Sequence, residues 1–113
     1  MQTIVELPEF IRRSDKLLSQ AEKSSVINYL ALHPASGNIM QDTGGIRKLR
    51  WSAQGRGKSS GVRVIYYYHN KTLPLFLLTV FGKGEKASLS KQERNDLATL
   101  TTFIIKYYRG QKS

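Results

Sequence analysis

The sequence predicts an α+β domain in which two N-terminal helices and one C-terminal helix flank a small, antiparallel-rich sheet. Three observations lead there. Apolar residues recur at helical spacing before residue 33 and after residue 90, they alternate or run together at strand lengths between 46 and 81, and glycine, proline and small polar residues separate these stretches. At 113 residues and 40% apolar content, the chain fits one domain, 1–113, with a single modest core.

Thr3 to Glu6 reads as a short edge strand ended by Pro8, whose fixed φ suits the first turn of a helix. Phe10, Ile11, Leu17 and Leu18 carry that helix. Ser19 with Glu22 forms a capping box that starts a second one, whose apolar face runs through Val26, Ile27, Leu30 and Ala31. It must stop near His33, because Pro34 disfavours the α region for the residue before it. Residues 34 to 45 read as a connecting loop. Ile46 to Trp51 alternates, placing Arg47, Leu49 and Trp51 on one face and Ile46, Lys48 and Arg50 on the other; Leu49 and Trp51 gain most from burial, so the Lys48–Arg50 face is the solvated one. After the glycine-punctuated stretch from Ser52 comes the β-branched and aromatic strand Gly61 to Tyr68, then a turn, then Leu75 to Phe81. That run is apolar on both faces and is expected to be a central strand covered by helices on one side. Ser90 with Glu93 caps the last helix, whose inward stripe is expected at Leu97, Leu100, Ile104 and Tyr107 or Tyr108.

Charge is distributed unevenly over these elements. Residues 43 to 84 contain eight Lys/Arg and no Asp or Glu, whereas residues 1 to 42 have four basic and five acidic side chains. The net charge of +10 is thus built largely into the sheet. A one-signed surface of this kind repels itself unless a polyanion sits on it, which makes nucleic acid the leading partner. An anionic membrane is a poorer fit, since its usual partner is an amphipathic helix with Lys/Arg opposite bulky apolar residues. No apolar run is long enough to span a bilayer, the first residues lack the build of a secretion signal, and there is no cysteine for a disulfide or thiolate site. A cytoplasmic protein with neither metal nor cofactor is expected.

Several side chains are candidates for chemistry. Lys48 and Arg50 lie two apart on one strand face, and Arg63 on the following strand can join them. Taken singly, strand cations of this kind also serve to block edge pairing. Gly-Arg-Gly-Lys-Ser at 55 to 59 is not a Walker loop, since Ser52 stands where the first glycine is needed and a strand follows; its Arg56 and Lys58 can still track a phosphate backbone, or sit at a solvated hairpin tip. Tyr66, Tyr67 and Tyr68 alternate faces, and Tyr67 is a candidate for stacking on a base, with packing as the other use of the residue. Arg47 joins the RNA-binding candidates on charge. Gly82-Lys83-Gly84-Glu85-Lys86 leaves the central strand ahead of a capped helix, where Lys83 and Lys86 can reach a substrate and Glu85 is either a base or a partner for Lys83 or Lys86. His33 and His69 have unlike contexts and suggest no metal site.

Metal-free cleavage of RNA uses the 2′-hydroxyl as internal nucleophile, so a site needs a proton acceptor, cations for the charge growing on phosphate, and a proton for the leaving 5′-oxygen. Lys48 is the candidate acceptor, because neighbouring cations disfavour its charged form. Arg50 and Arg63 present bidentate forks to phosphate, and Lys83 or Lys86 can serve the leaving group.

The words Gly45-Ile46-Arg47-Lys48-Leu49-Arg50, Gly61-Val62-Arg63-Val64-Ile65-Tyr66-Tyr67 and Phe81-Gly82-Lys83-Gly84-Glu85-Lys86, in that order, resemble the RelE/HigB superfamily of bacterial toxin-antitoxin toxins. The start Thr-Gly-Gly-Ile-Arg-Lys-Leu-Arg and the Gly/Lys/Arg loop resemble most the HigB-type, host-inhibition-of-growth branch. The resemblance spans nearly the whole chain. It implies a RelE-like fold and a toxin that cuts messenger RNA in the ribosomal A site, silenced by a cognate antitoxin, a helix-turn-helix protein. Lys48 and Arg50 match the family's paired basic residues, and Arg63 matches its Gly-x-Arg word. Two positions depart: Gly84 stands where RelE proper has an arginine, and no tyrosine stands near Leu89 and Ser90. A protein that blocks the ribosome without cutting is the alternative these departures favour. A DNA-binding regulator is a poor match, since no helix carries a basic, base-reading face.

Overall fold

The computed structural model describes residues 1–52, 61–86 and 88–110. Five strands form one mixed sheet, in the order β1 (Ile4–Glu6), β5 (Leu75–Gly82), β4 (Val62–Tyr67), β3 (Ile46–Trp51), β2 (Asn38–Ile39). All neighbours run antiparallel except β1 and β5, which pair in parallel, Ile4 opposite Leu75. A parallel pair needs a long crossover, and here helices α1 (Pro8–Leu17) and α2 (Gln20–Leu32) lie within it. Helix α3 (Lys91–Gly110) closes the chain.

The helix boundaries follow the sequence signals. Pro8 opens α1, and α1 ends at Leu17 because Leu18 turns extended at φ −130°. Ser19 then makes its capping box with Glu22, and His33 ends α2 just before Pro34. At α3 the same reciprocal bonds join Ser90 and Glu93, at 2.8 Å and 3.1 Å.

Two cores sit on opposite faces of the sheet. Phe10, Val26 and Leu30 from α1 and α2, with Leu18 between the helices, meet Leu49, Val62, Val64, Tyr66, Leu75, Leu77 and Val80 on one face. On the other, Ile46, Ile65, Tyr67, Phe76, Leu78 and Phe81 lie under Leu97, Ile104, Ile105 and Tyr108 of α3. The expectation of helices on one side of β5 is therefore corrected: its run of buried residues is apolar on both faces because helices cover both. A bulge between Ile65 and Tyr66 skips Leu78, so that Tyr66 still meets Leu77 and Ile65 still meets Thr79, each pair on its own face.

Two further details differ from the sequence reading. The segment read as loop contains β2, a two-residue strand too short to show periodicity. On α3 the inward stripe passes through Leu97, Thr101, Ile104, Ile105 and Tyr108, leaving Leu100 38% and Tyr107 63% exposed. Thr101 supplies the buried turn that Leu100 was expected to fill.

The turn into β3 is built by Thr43, whose buried hydroxyl donates to the Met40 carbonyl at 2.7 Å and accepts from the Ile46 N–H at 3.1 Å. Gly44 and Gly45 follow at φ 75° and 113°, a conformation that side chains disfavour.

Candidate nucleic-acid interface

The register of β3 on β4 sets the site. Arg50 stands directly opposite Arg63, and Lys48, two residues back on the same face, stands opposite Ile65. Cβ atoms of such cross-strand pairs lie about 4.5–5.5 Å apart, and like charges so placed oppose folding. Ile46 on this face is fully buried under α3, but the cover ends before Arg50, which is exposed, while Lys48 and Arg63 are half-buried. None of the three joins an ion pair formed among the described residues. The cationic cradle is open to solvent and unneutralised.

A hollow of about 590 Å³ lies over its Lys48 and Arg50 side, bordered by these two, by the 38–41 segment, and by Ser88, Leu89 and Arg94. No carboxylate lines it among the described residues. Arg94 is a third cation that sequence reasoning missed. Its spacing from Leu97 and Thr101 put it near the inward stripe of α3, but only the docking of α3 over the second face aims it at Lys48 and Arg50.

The turn after β5 lies at the same end of the sheet, since Val62 pairs with Gly82 and the Lys83 N–H bonds the Gly61 carbonyl at 2.9 Å. Lys83 itself is exposed. Lys86 is tied down, with Nζ 2.6 Å from Glu93 and 5.1 Å from the ring centre of Phe81, which is the residue opposite Arg63 on β5. Glu85 pairs with neither lysine. One of its oxygens accepts from the Gly82 N–H at 3.1 Å and the other pairs with Arg13 of α1, and these partners hold its carboxyl below the usual range, the Gly82 bond foremost. A carboxylate so occupied braces the turn.

Two expected RNA contacts fall elsewhere. Arg47 points to the α1–α2 face, where Nη1 donates to the carbonyls of Ala35 and Gly37 at 3.1 Å and 2.7 Å and so fastens the 34–37 segment. Tyr67 is 5% exposed and packs under α3, with its hydroxyl 3.1 Å from Nδ1 of His69, so its ring is not offered to a base. Both are corrected as contacts of the cradle. Arg56 and Lys58 lie outside the described residues. His33 sits at the end of α2 with its ring 4.9 Å from that of Tyr29.

The ion pairs at this end give the stability a pH signature. Glu93 is held low first by Lys86 and then by the Ser90 N–H, as Glu85 is by Gly82 and Arg13. Both are more acidic folded than unfolded, so their contribution is complete above the ordinary glutamate value of 4.5 and is lost as pH falls through the lower folded values. Because the two side chains are 41% and 42% exposed, the effect is modest. Burial pushes the hydroxyls of Tyr66 and Tyr67 above 10.0, so the folded state holds these protons more tightly and stability declines again as pH rises past that value. Thermal unfolding across pH is expected to show a plateau with both limbs. The pair Glu85→Gln and Glu93→Gln should flatten the acid limb, and an acid limb unchanged in that variant would refute the assignment.

A three-helix, mixed five-stranded α+β domain with an open cationic cradle at one end of the sheet is the class these features define. No family model matches the sequence. Among solved structures, the chain is similar to the E. coli toxin RelE, in a variant with two arginines replaced by alanine and in the free state: the TM-score is 0.57 at 13% identity, over 88% of this chain and 96% of that one. At that identity the likeness establishes a RelE-like fold.

Proposed function

We propose that this chain is a RelE-type toxin of the HigB-like branch: an endoribonuclease that cuts messenger RNA in the ribosomal A site, stops translation, and is silenced by a cognate antitoxin. The observation that carries the reading is the cross-strand Arg50–Arg63 pair with Lys48 beside it, none of them in an ion pair formed among the described residues. Opposed like charges weaken the free protein, and the arrangement is relieved when a phosphodiester lies between the strands. The RelE-like fold supports the same reading.

The residues divide the reaction as follows. Lys48 takes the proton from a ribose 2′-hydroxyl, whose oxygen attacks the adjacent phosphorus. Arg50 and Arg63 hold the non-bridging oxygens as charge builds on them. The bond from phosphorus to the 5′-oxygen breaks, leaving a 2′,3′-cyclic phosphate, and Lys83 donates the proton that makes the departing 5′-hydroxyl. Lys86 is the less available donor because Glu93 holds it. No step calls for a metal or cofactor.

A second reading, occupancy of the ribosome without cutting, is favoured by Gly84 and by the missing tyrosine near Ser90. Mapping messenger 5′ ends after incubation with translating ribosomes separates the two. New ends inside A-site codons are expected, and stalling without new ends would overturn the nuclease in favour of the plug. The antitoxin reading is checked in the neighbouring reading frame, which should encode a small helix-turn-helix protein that rescues growth arrest.

A further inference from the structure

We propose that the trough between α3 and the 38–44 segment carries the RNA strand away from the cradle, with Lys106 and Arg109 holding backbone phosphates at its far end. The inference rests on the reading that this chain binds RNA, and adds the direction and length of the bound strand.

The first observation is continuity. The hollow over the cradle ends at Gln41 and Arg94, and a second hollow of about 380 Å³ begins at the next residue, Asp42, and the next helical turn, Ala98. It runs on between residues 42–44 and α3 as far as Lys106 and Arg109. Arg94 and Arg109 are 15 residues apart, about 22 Å of helix, which suits a strand of about four nucleotides, the lower end of what single-strand grooves hold.

The second observation is how charge is arranged around α3. At about 100° per residue, Lys91, Arg94, Lys106 and Arg109 fall within one third of the circumference, whereas Glu93 and Asp96 fall on the opposite flank. That acidic flank also carries the exposed Leu100, Phe103 and Tyr107. Every cation of the helix thus turns toward the trough or its rim. Lys106 and Arg109 are exposed and join no ion pair formed among the described residues. Among the described residues Asp42 is the one carboxylate lining the second hollow, outnumbered there by Lys106 and Arg109, with His69 beside them.

The third observation separates RNA from an acidic polypeptide. Between the two cationic ends α3 lines the bed of the trough with Ala98, Thr101, Thr102 and Ile105, three of them small. A bed of that kind suits a backbone with regularly repeated charge, whereas a peptide is held chiefly by side chains inserted into pockets.

The test measures binding of the full chain to fluorescein-labelled oligouridylates of about two and about eight nucleotides, of which only the longer can span the trough, by anisotropy across a salt series. The unaltered chain should bind the longer one more tightly. Lys106→Gln with Arg109→Gln, both on the surface, should weaken the longer oligomer about tenfold, change the shorter one less than about twofold, and lower the log–log salt slope by about 1.4, since each lost phosphate contact on a single strand removes about 0.7. Unchanged affinity for the longer oligomer, or no binding of either by the unaltered chain, overturns the proposal. So does a variant that keeps its RNA affinity and loses binding to polyglutamate, which assigns the trough to an acidic polypeptide. Length-dependent binding that needs Lys106 and Arg109, without cleavage on ribosomes, removes the nuclease and leaves the trough in place. Cleavage with no such dependence does the reverse.

Discussion

Replacing Lys48, Arg50 and Arg63 together by Ala is expected to abolish ribosome-dependent cleavage while leaving a folded protein of equal or higher melting temperature. The two halves of this expectation have one cause. Arg50 and Arg63 are directly opposed on adjacent strands, so deleting them removes a repulsion and strands no buried partner. On the proposed function, the same deletion removes the groups that would meet the scissile phosphate. One preorganised donor is worth about 10²–10³ in rate, and two donors and a base that act as a unit are not additive, so a loss of at least about 10³ is expected for the triple variant. Arg63→Lys should retain part of the activity, because lysine keeps the charge but loses the two-pronged fork. Primer extension on translating ribosomes reads the cleavage and thermal unfolding reads the stability. A folded triple variant that cuts at full rate would falsify the cradle as the reaction centre.

How much of this was legible in the sequence depends on whether the cause is local. Both capping boxes, Pro8 and the stop before Pro34 are local, and each helix begins or ends where they place it. The alternation of Ile46 to Trp51 also put Lys48 and Arg50 opposite Leu49 and Trp51, as the structure has them, because only one face of that strand could bury a tryptophan. Partners distant in sequence were not legible. The parallel pairing of β1 with β5, the docking of α3 on the second face and the arrival of Arg94 beside the cradle are set by packing between elements, which no single stretch records. Arg47 and Tyr67 show the same limit from the other side. Their residue types suggested RNA, but Arg47 sits on the face alternation gave it and binds carbonyls there, and Tyr67 is covered by a helix whose position the sequence left open.

The second large effect is structural and concerns Tyr66, which is fully buried in the core under α1 and α2. Its hydroxyl donates to the Pro34 carbonyl and accepts from the Gly37 N–H, both at 2.8 Å, and Arg47 holds the same segment through Ala35 and Gly37. This latch delivers Asn38 to its place opposite Lys48, so it shapes the edge of the hollow over the cradle. Tyr66→Phe leaves the Gly37 N–H without its partner, at a cost of about 1–3 kcal/mol. Tyr66→Ala adds a cavity and should cost about 3–5 kcal/mol, a large share of the total stability of a domain this size. Gly37 is the other half of the fit. A Cβ there would stand 2.8 Å from the Tyr66 ring and hydroxyl and 3.0 Å from the Lys48 carbonyl, so Gly37→Ala should cost about 1–3 kcal/mol through overpacking. In a Tyr66→Ala background most of that clash is gone, and the added cost of Gly37→Ala should fall well below its cost alone. Denaturant unfolding of the four proteins in this cycle measures the coupling. Strict additivity would mean that the ring does not hold the 34–37 segment, and that the edge of the cradle is set by the pairing of β2 with β3 alone.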